Sequence, residues 1–328
     1  MGHITLDDIA ADLGVSKTTV SRAMSGKGRI SEKTRQRIKD YAREKGYRPN
    51  VQARGLAQQR TYNIAVVSPQ DSNVSELAFF HRCLVGITED AEREGYNVII
   101  TVDRGNRTDE LEQIVENSKA DGVILTRTYY DDRRIECLKS MDVPYLVIGS
   151  TQDEDSVQVD NDNAGGSYEM TRLLISRGAT FPALIGGDSE LLVTTQRYEG
   201  FKKAIDEKKI KDPLYFPNSM TERVVTSDID ISLKRGVDCL ICMDEEITLM
   251  TLDVLRKKGI MVPEEMSVAS LYDSSILDDG GRSVTAVAYD EIYLGQTAAA
   301  TLISIINQEE VNDIAANSFA IRLRDTTR

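Results

Sequence analysis

TLDDIAADLGVSKTTVSRAMS, residues 5–25, decides how this chain is read. At helical period Leu6, Ile9, Ala10 and Leu13 form one apolar stripe and Val20 with Met24 a second, while Gly14-Val15-Ser16 breaks the run between them. Two short helices joined by a tight turn, with Lys17, Thr18, Thr19, Ser21 and Arg22 left to face outward, spell a helix-turn-helix. The same pattern fits an ordinary helical hairpin whose polar face is only solvated, so the neighbouring sequence has to decide.

Moving outward, Ser31 caps a third helix, SEKTRQRIKDYAREKG, with Ile38, Tyr41 and Ala42 facing inward and Gly46 ending it. YRPNVQARGLAQQRT follows. Pro49 suits a first helical turn, but a lone helix below ~12–15 residues is marginal in water, so residues 48–60 read as a hinge that orders only against a partner. Charge separates this end from the rest. Residues 1–60 hold thirteen Lys and Arg against six Asp and Glu, a net of +7; the other 268 hold 27 against 47, a net of −20. A small basic module on an acidic body points to a polyanion at one end and another task at the other.

From Tyr62 onward NIAVVSP, YNVIITV, DGVILTR, PYLVIGS, PALIGG, CLICMD and SVASLY are short Val/Ile/Leu-rich strands. Amphipathic segments such as LAFFHRCLVGITEDAEREG and MTRLLISRG lie between them, a pattern that predicts parallel sheets with right-handed crossovers. There are too many strands for one mononucleotide-sized sheet, so two α/β lobes are expected, with ligands beyond the carboxyl ends of the strands. The length supports two or three domains. No apolar run of eighteen residues and no signal-peptide pattern is present, so a soluble cytoplasmic protein without membrane contact is expected. Cys83, Cys137, Cys239 and Cys242 are too scattered for a disulfide framework, and Cys239 and Cys242 on one strand should point to opposite faces, which argues against a metal. With only His3 and His81, and no P-loop, nucleophile elbow or dinucleotide fingerprint, an enzyme is not expected, nor a cofactor.

Residues 4–60 together resemble the lac/galactose repressor (LacI/GalR) family of bacterial transcription factors. The resemblance continues through VDNDNAGG, RYEGFKKAI, LRKKGIMVPEEMSV and LGQTAAATL. It implies an N-terminal all-α helix-turn-helix headpiece (1–47), a hinge helix (48–60) and an α/β two-lobed, periplasmic-binding-protein-like effector and dimerisation core (61–328). Lobe 1 would hold about 61–161 plus 291–318, and lobe 2 about 162–290 plus 319–328. It further implies that Lys17 and Thr18 open the recognition helix, that Arg22 is placed to read a guanine, and that Ser16, Thr19 and Ser21 meet phosphates. Thr5 joins the DNA-contacting set. Asn50, Ala53, Arg54 and Leu56 belong to the hinge, Leu56 as the apolar wedge in the minor groove.

For the effector the resemblance implies a cleft with Arg197 as its first polar contact. Asp71, Phe79, Phe80, Arg127, Asp160, Asp244, Tyr272 and Tyr289 are further candidates. Here the chain departs from the family. Met243-Asp244 stands for the usual Asn-Asp, Tyr272 for an effector-binding Asp, Leu191 and Val193 for polar residues, Tyr289 for a Gln, and Gly149-Ser150 for Asp-Arg. A sugar or sugar derivative is favoured; a nucleobase, nucleoside or other metabolite, a protein effector, or no small-molecule effector stay open, as does a solute-binding protein without a DNA role. A pseudo-palindromic duplex operator bound by a homodimer is implied. No heptad extension follows RLRDTTR, so a dimer rather than a tetramer is expected.

Overall fold

The computed structural model describes residues 4–25, 28–47, 60–69, 74–278, 283–311, 314 and 316–328. The chain divides into two compact units, residues 1–60 and 61–328.

In the first unit, α1 (Leu6–Leu13), α2 (Lys17–Ser25) and α3 (Glu32–Glu44) close around Ile9, Ala10, Val20, Ala23, Ile38 and Ala42. These residues sit at three- and four-residue spacings, the stripe a helix needs in order to bury one face. Local chemistry fixes the ends. The Thr5 hydroxyl accepts from the Asp8 amide while the Asp8 carboxylate takes the Thr5 amide, a reciprocal box that starts α1. Gly14, at φ 65°, stops α1 in a left-handed conformation open to glycine. The Tyr41 hydroxyl donates to Asp12 at 2.7 Å and ties α3 to α1.

The second unit holds two sheets. The first runs β2 (Asn97–Asp103), β1 (Asn63–Pro69), β3 (Gly122–Leu125), β4 (Tyr145–Ile148), β5 (Gln158–Val159), all parallel. Alternate residues of β1 divide its faces. Ile64 and Val66 pack under α4 (Val74–Arg93) and α11 (Glu291–Ile306); Ala65 and Val67 pack under α5 (Asp109–Glu116) and α6 (Arg133–Ser140). The α4–α11 crossing is close because glycine permits it: a Cβ on Gly86 would lie 2.0 Å from the Ile292 carbonyl oxygen, and one on Gly295 2.1 Å from that of Cys83.

The second sheet runs β11 (Phe319–Arg322), β10 (Thr285–Tyr289), β9 (Ser267–Ser270), β8 (Cys239–Cys242), β6 (Pro182–Ile185), β7 (Leu214–Phe216), with only β11 antiparallel to its neighbour. Around it lie α7 (Asn163–Ser176), α8 (Leu192–Glu207), α9 (Glu222–Arg235) and α10 (Glu245–Lys257). The seven strands read from sequence are all present, and β5, β7, β10 and β11 complete the sheets. Connections between the two halves are tied at Asn317, which bridges Asn161 in parallel and donates to the Asn161 side-chain oxygen and the Asp290 carbonyl. No described helix is long and apolar enough to cross a membrane. Cys239 and Cys242 are buried and free.

Candidate functional site

On the headpiece, the outer face of α2 presents Lys17, Thr18, Ser21 and Arg22, all exposed, with Thr19 half-buried beside them. Lys17 rests on Asp7 at 2.8 Å. A pair this exposed contributes little, so the ammonium can be exchanged for a phosphate or a base edge. The stem of Arg22 lies over Gly28, where a Cβ would come within 3.0 Å of Arg22 Cδ; Gly28 also needs φ +87°. Ser16 has a structural part as well. Its hydroxyl accepts the Thr19 amide at 3.1 Å and pairs with the Thr19 hydroxyl at 2.8 Å, so it acts first as the cap that starts α2. Thr5 likewise spends its side chain on the cap of α1. Asn50, Ala53, Arg54 and Leu56 lie outside the described residues, as does Asp71.

In the second unit, one cleft gathers the loops that leave β3, β4, β5, β6, β8 and β9 at their carboxyl ends, where open α/β sheets bind ligands. One wall is aromatic. Phe79 packs edge-on against both Phe80, with ring centres 5.2 Å apart, and Tyr272, at 5.8 Å; Arg127 lies over the Phe80 ring. Leu191 and Val193 add apolar surface, and Gly149 and Ser150 line the cleft beside them.

The polar candidates fall into different states. Arg197, from the first half of α8, donates through Nη1 to the Met243 carbonyl, while its buried Nε has no hydrogen-bond partner. Asp160 is fully engaged, taking Ser150 Oγ at 2.7 Å, Gln196 Nε2 at 3.2 Å, Asn163 Nδ2 at 3.1 Å and the Asn161 amide at 2.7 Å. Burial pushes its carboxyl above the ordinary range against the pull of those donors. Asp244 caps α10 by accepting the Ile247 amide at 2.9 Å. Tyr272 gives the cleft its ring but not its hydroxyl, which donates to Glu291 at 2.9 Å; Glu291 in turn holds Arg82 at 2.8 Å.

Tyr289 is a correction. It does not line this cleft but is buried behind it, its ring edge-on to Phe319 and its hydroxyl oxygen filling the space where a Cβ on Gly166 would stand, 2.6 Å away. β10 is buried on every residue, so side chains on both of its faces are core, and the register sends Tyr289 toward α7.

Three contributors went unread in the sequence. Gln196 reaches Ser150 across the cleft at 2.6 Å. Arg134 is 1% exposed and holds Asp103 and Asp132, fixing the loop that carries Arg127. Glu245, next to the cap of α10, lines the cleft, and neither of its oxygens has a partner. Only the last had a local signal, an acid beside an acid, and a helix start asks for that anyway. Among the described residues no cluster could hold a metal ion.

Comparison with known proteins places both units. A family model described as "Bacterial regulatory proteins, lacI family" matches residues 5–50, and one described as "Periplasmic binding proteins and sugar binding domain of LacI family" matches residues 42–321. The chain is similar to the HTH-type transcriptional regulator RegA of Clostridium saccharobutylicum, 29% identical with 94% of each chain covered. It is also similar to the HTH-type transcriptional regulator MalR of Streptococcus pneumoniae, 28% identical with 94% of each covered. A solved structure titled "transcriptional regulator CelR-cellobiose complex" superimposes with a TM-score of 0.75 at 26% identity, covering 99% of this chain and 100% of that one.

Proposed function

The chain belongs to the LacI family of bacterial regulatory proteins and is a DNA-binding transcriptional regulator rather than an enzyme; from that premise we propose that it is a homodimeric, cytoplasmic repressor whose grip on a pseudo-palindromic operator is set by a sugar in the cleft of the second unit. The sugar reading rests on one observation. An aromatic wall of Phe79, Phe80 and Tyr272 faces fixed polar groups on α8 and α10, the pairing by which concave sites hold a polyol ring. The relative solved with cellobiose supports the same class.

On the DNA side, Lys17, Thr18 and Arg22 choose the sequence from the exposed face of α2, with Ser21 and Thr19 on phosphates. The hinge, with Asn50, Ala53, Arg54 and the Leu56 wedge, would enter the minor groove beside its dimer mate. Ligand and operator are then coupled through the arrangement of the two lobes. A sugar changes operator affinity only as far as it binds one arrangement better than the other, about 1–3 kcal/mol in such systems.

The test is selection of an operator from random duplexes with the full chain, then titration by fluorescence anisotropy with and without cellobiose or maltose. We expect a palindromic consensus and an operator affinity moved about 5–150-fold by sugar. Arg22→Ala should weaken operator binding by about 1–3 kcal/mol and relax one position in each half-site. No sequence preference for any duplex would overturn the DNA-reading assignment of α2. A response to nucleobases but to no sugar would overturn the effector class.

A further inference from the structure

One carboxylate in the cleft stands apart from every other acid there. Glu245 is the first residue of α10 and is 1% exposed. It lines the cleft, yet neither Oε1 nor Oε2 has a hydrogen-bond partner. Its acidic neighbours are all provided for. Asp244 caps α10, Asp160 takes four donors, Asp273 is held by Arg322 and Arg324, and Glu291 by Arg82 and the Tyr272 hydroxyl.

The cations in reach are thus turned elsewhere. Arg82, Arg322 and Arg324 face other carboxylates, and Arg197 gives Nη1 to a backbone carbonyl. Glu245 meets instead a ring of like charge, Asp244, Asp273 and Glu291, and burial with that ring lifts its carboxyl to about 8, against a weaker pull from the nearby Ser274 hydroxyl. A buried carboxylate without a donor is costly, and folded proteins rarely keep one. Among the described residues only Arg197 Nε, the two Glu245 oxygens and Ser274 Oγ are buried without a partner, and Arg197 shares the cleft with Glu245. The Ser274 hydroxyl lies near enough to lend Glu245 one hydrogen, which leaves its other oxygen and Arg197 Nε as an acceptor and a donor open on the walls of one cavity, a matched request for a ligand.

We propose that Glu245 is the specificity-determining acceptor of the effector cleft: it receives hydroxyl or ammonium hydrogens of a neutral or amine-bearing sugar and turns away sugars that carry phosphate or carboxylate. This rests on the reading of the cleft as the effector site. A polyol offers donors wherever its ring is turned, and each one directed at Glu245 repairs an interaction the protein leaves unmade. An anionic group at the same place would stand against the carboxylates of Asp244, Asp273 and Glu291, the ring that already resists ionisation of Glu245.

The experiment is calorimetric titration of the full chain with cellobiose, maltose, glucosamine, glucose 6-phosphate and glucuronic acid, on the wild type, Glu245→Gln and Arg197→Lys. The titrations are run at about pH 9, above the Glu245 carboxyl at about 8, so that glutamine keeps the shape and replaces an ionised acceptor by a neutral donor; circular dichroism establishes that the variant folds. We expect at least one neutral or amine-bearing probe to bind, at least tenfold loss with Glu245→Gln, and anionic probes at least tenfold weaker than neutral ones on the wild type. Unchanged affinity in Glu245→Gln, or an anionic sugar as the tightest probe, overturns the proposal. If Arg197→Lys abolishes sugar binding while Glu245→Gln leaves it intact, the cleft is the effector site and only the role of Glu245 falls. Failure of every sugar to bind the wild type overturns both.

Discussion

Removing the Arg134 guanidinium should cost the second unit more than any exposed charge change. Arg134 lies in the first turn of α6 and is 1% exposed, with Asp103 and Asp132 side chains 1% and 2% exposed against it. Its Nε and Nη2 bind the two oxygens of Asp132 at 2.8 and 2.6 Å, Nη1 binds Asp103 at 2.7 Å, and Nη2 also holds the Arg127 carbonyl at 2.6 Å. The Tyr129 ring covers the guanidinium at 4.8 Å while its hydroxyl donates to Asp103. Arg134→Ala leaves two buried carboxylates without a cation, a defect of about 3–5 kcal/mol, whereas replacing the whole set by neutral groups of similar shape is close to neutral. At roughly 2–4 °C per kcal/mol for a unit of this size, melting should fall by about 6–20 °C. The triple variant Arg134→Met, Asp103→Asn, Asp132→Asn should recover most of that loss, since Asn retains the cap of α6. The assay is thermal denaturation followed by far-ultraviolet circular dichroism. A fall below about 2 °C for Arg134→Ala, or a triple variant no more stable than the single one, would refute the reasoning.

Two further outcomes follow from the same geometry. Gly295→Ala puts a Cβ 2.1 Å from the Cys83 carbonyl oxygen; α4 and α11 must separate, and urea denaturation should register a loss of about 1–3 kcal/mol, an unchanged midpoint being the contrary result. Glu245→Gln should stabilise the protein by an amount that grows with pH. The folded-state carboxyl sits at about 8 against an ordinary 4.5, so between those values the unfolded chain has released a proton that the folded one retains. Wild-type stability therefore falls as pH rises through that window and levels off above it, with a ceiling of about 4–5 kcal/mol, while the glutamine variant escapes the loss. Melting scans at about pH 5, 7 and 9 decide it, and a difference between the two proteins that stays constant with pH would contradict the burial of an unpaired Glu245.

The headpiece was legible because its signals are local and redundant. Leu6, Ile9, Ala10 and Leu13 set a helical period, Thr5 and Ser31 announce two starts, and Gly14 announces a stop, each within four residues of what it controls. The two sheets were legible for a similar reason, since parallel strands buried on both faces are continuous apolar runs. What escaped was long-range. Arg134 stands in DDRRIECL, which reads as a solvated helix start until Asp103, thirty-one residues earlier, is folded against it. Tyr289 belongs to a strand with no solvent face, so no alternation tells which side it takes. Glu245 was hidden by its own plausibility, because an acid in the first turn of a helix complements the dipole and is already explained without a ligand.

The ties that hold the cleft together explain why a small ligand suffices to act on it. Hydrogen bonds that reach from the half built on the first sheet to the half built on the second include the Tyr130 amide to the Glu190 carbonyl at 3.1 Å, with Tyr129 bridging Leu191; Gln196 Nε2 to Ser150 Oγ at 2.6 Å and Asp160 Oδ2 at 3.2 Å; and the Tyr272 hydroxyl to Glu291 at 2.9 Å. Each is a hydrogen bond formed in exchange for one to water, with a net worth of about 0.5–1.5 kcal/mol. Their sum is therefore a few kcal/mol, the same size as the coupling by which an effector alters DNA affinity. A cleft closed by an extensive apolar seam would ignore its ligand, and one with no ties would gain nothing by closing. Here Glu245 and Arg197 Nε hold unmade interactions at the centre of that balance, so a ligand that satisfies them adds a term comparable to several of those ties together.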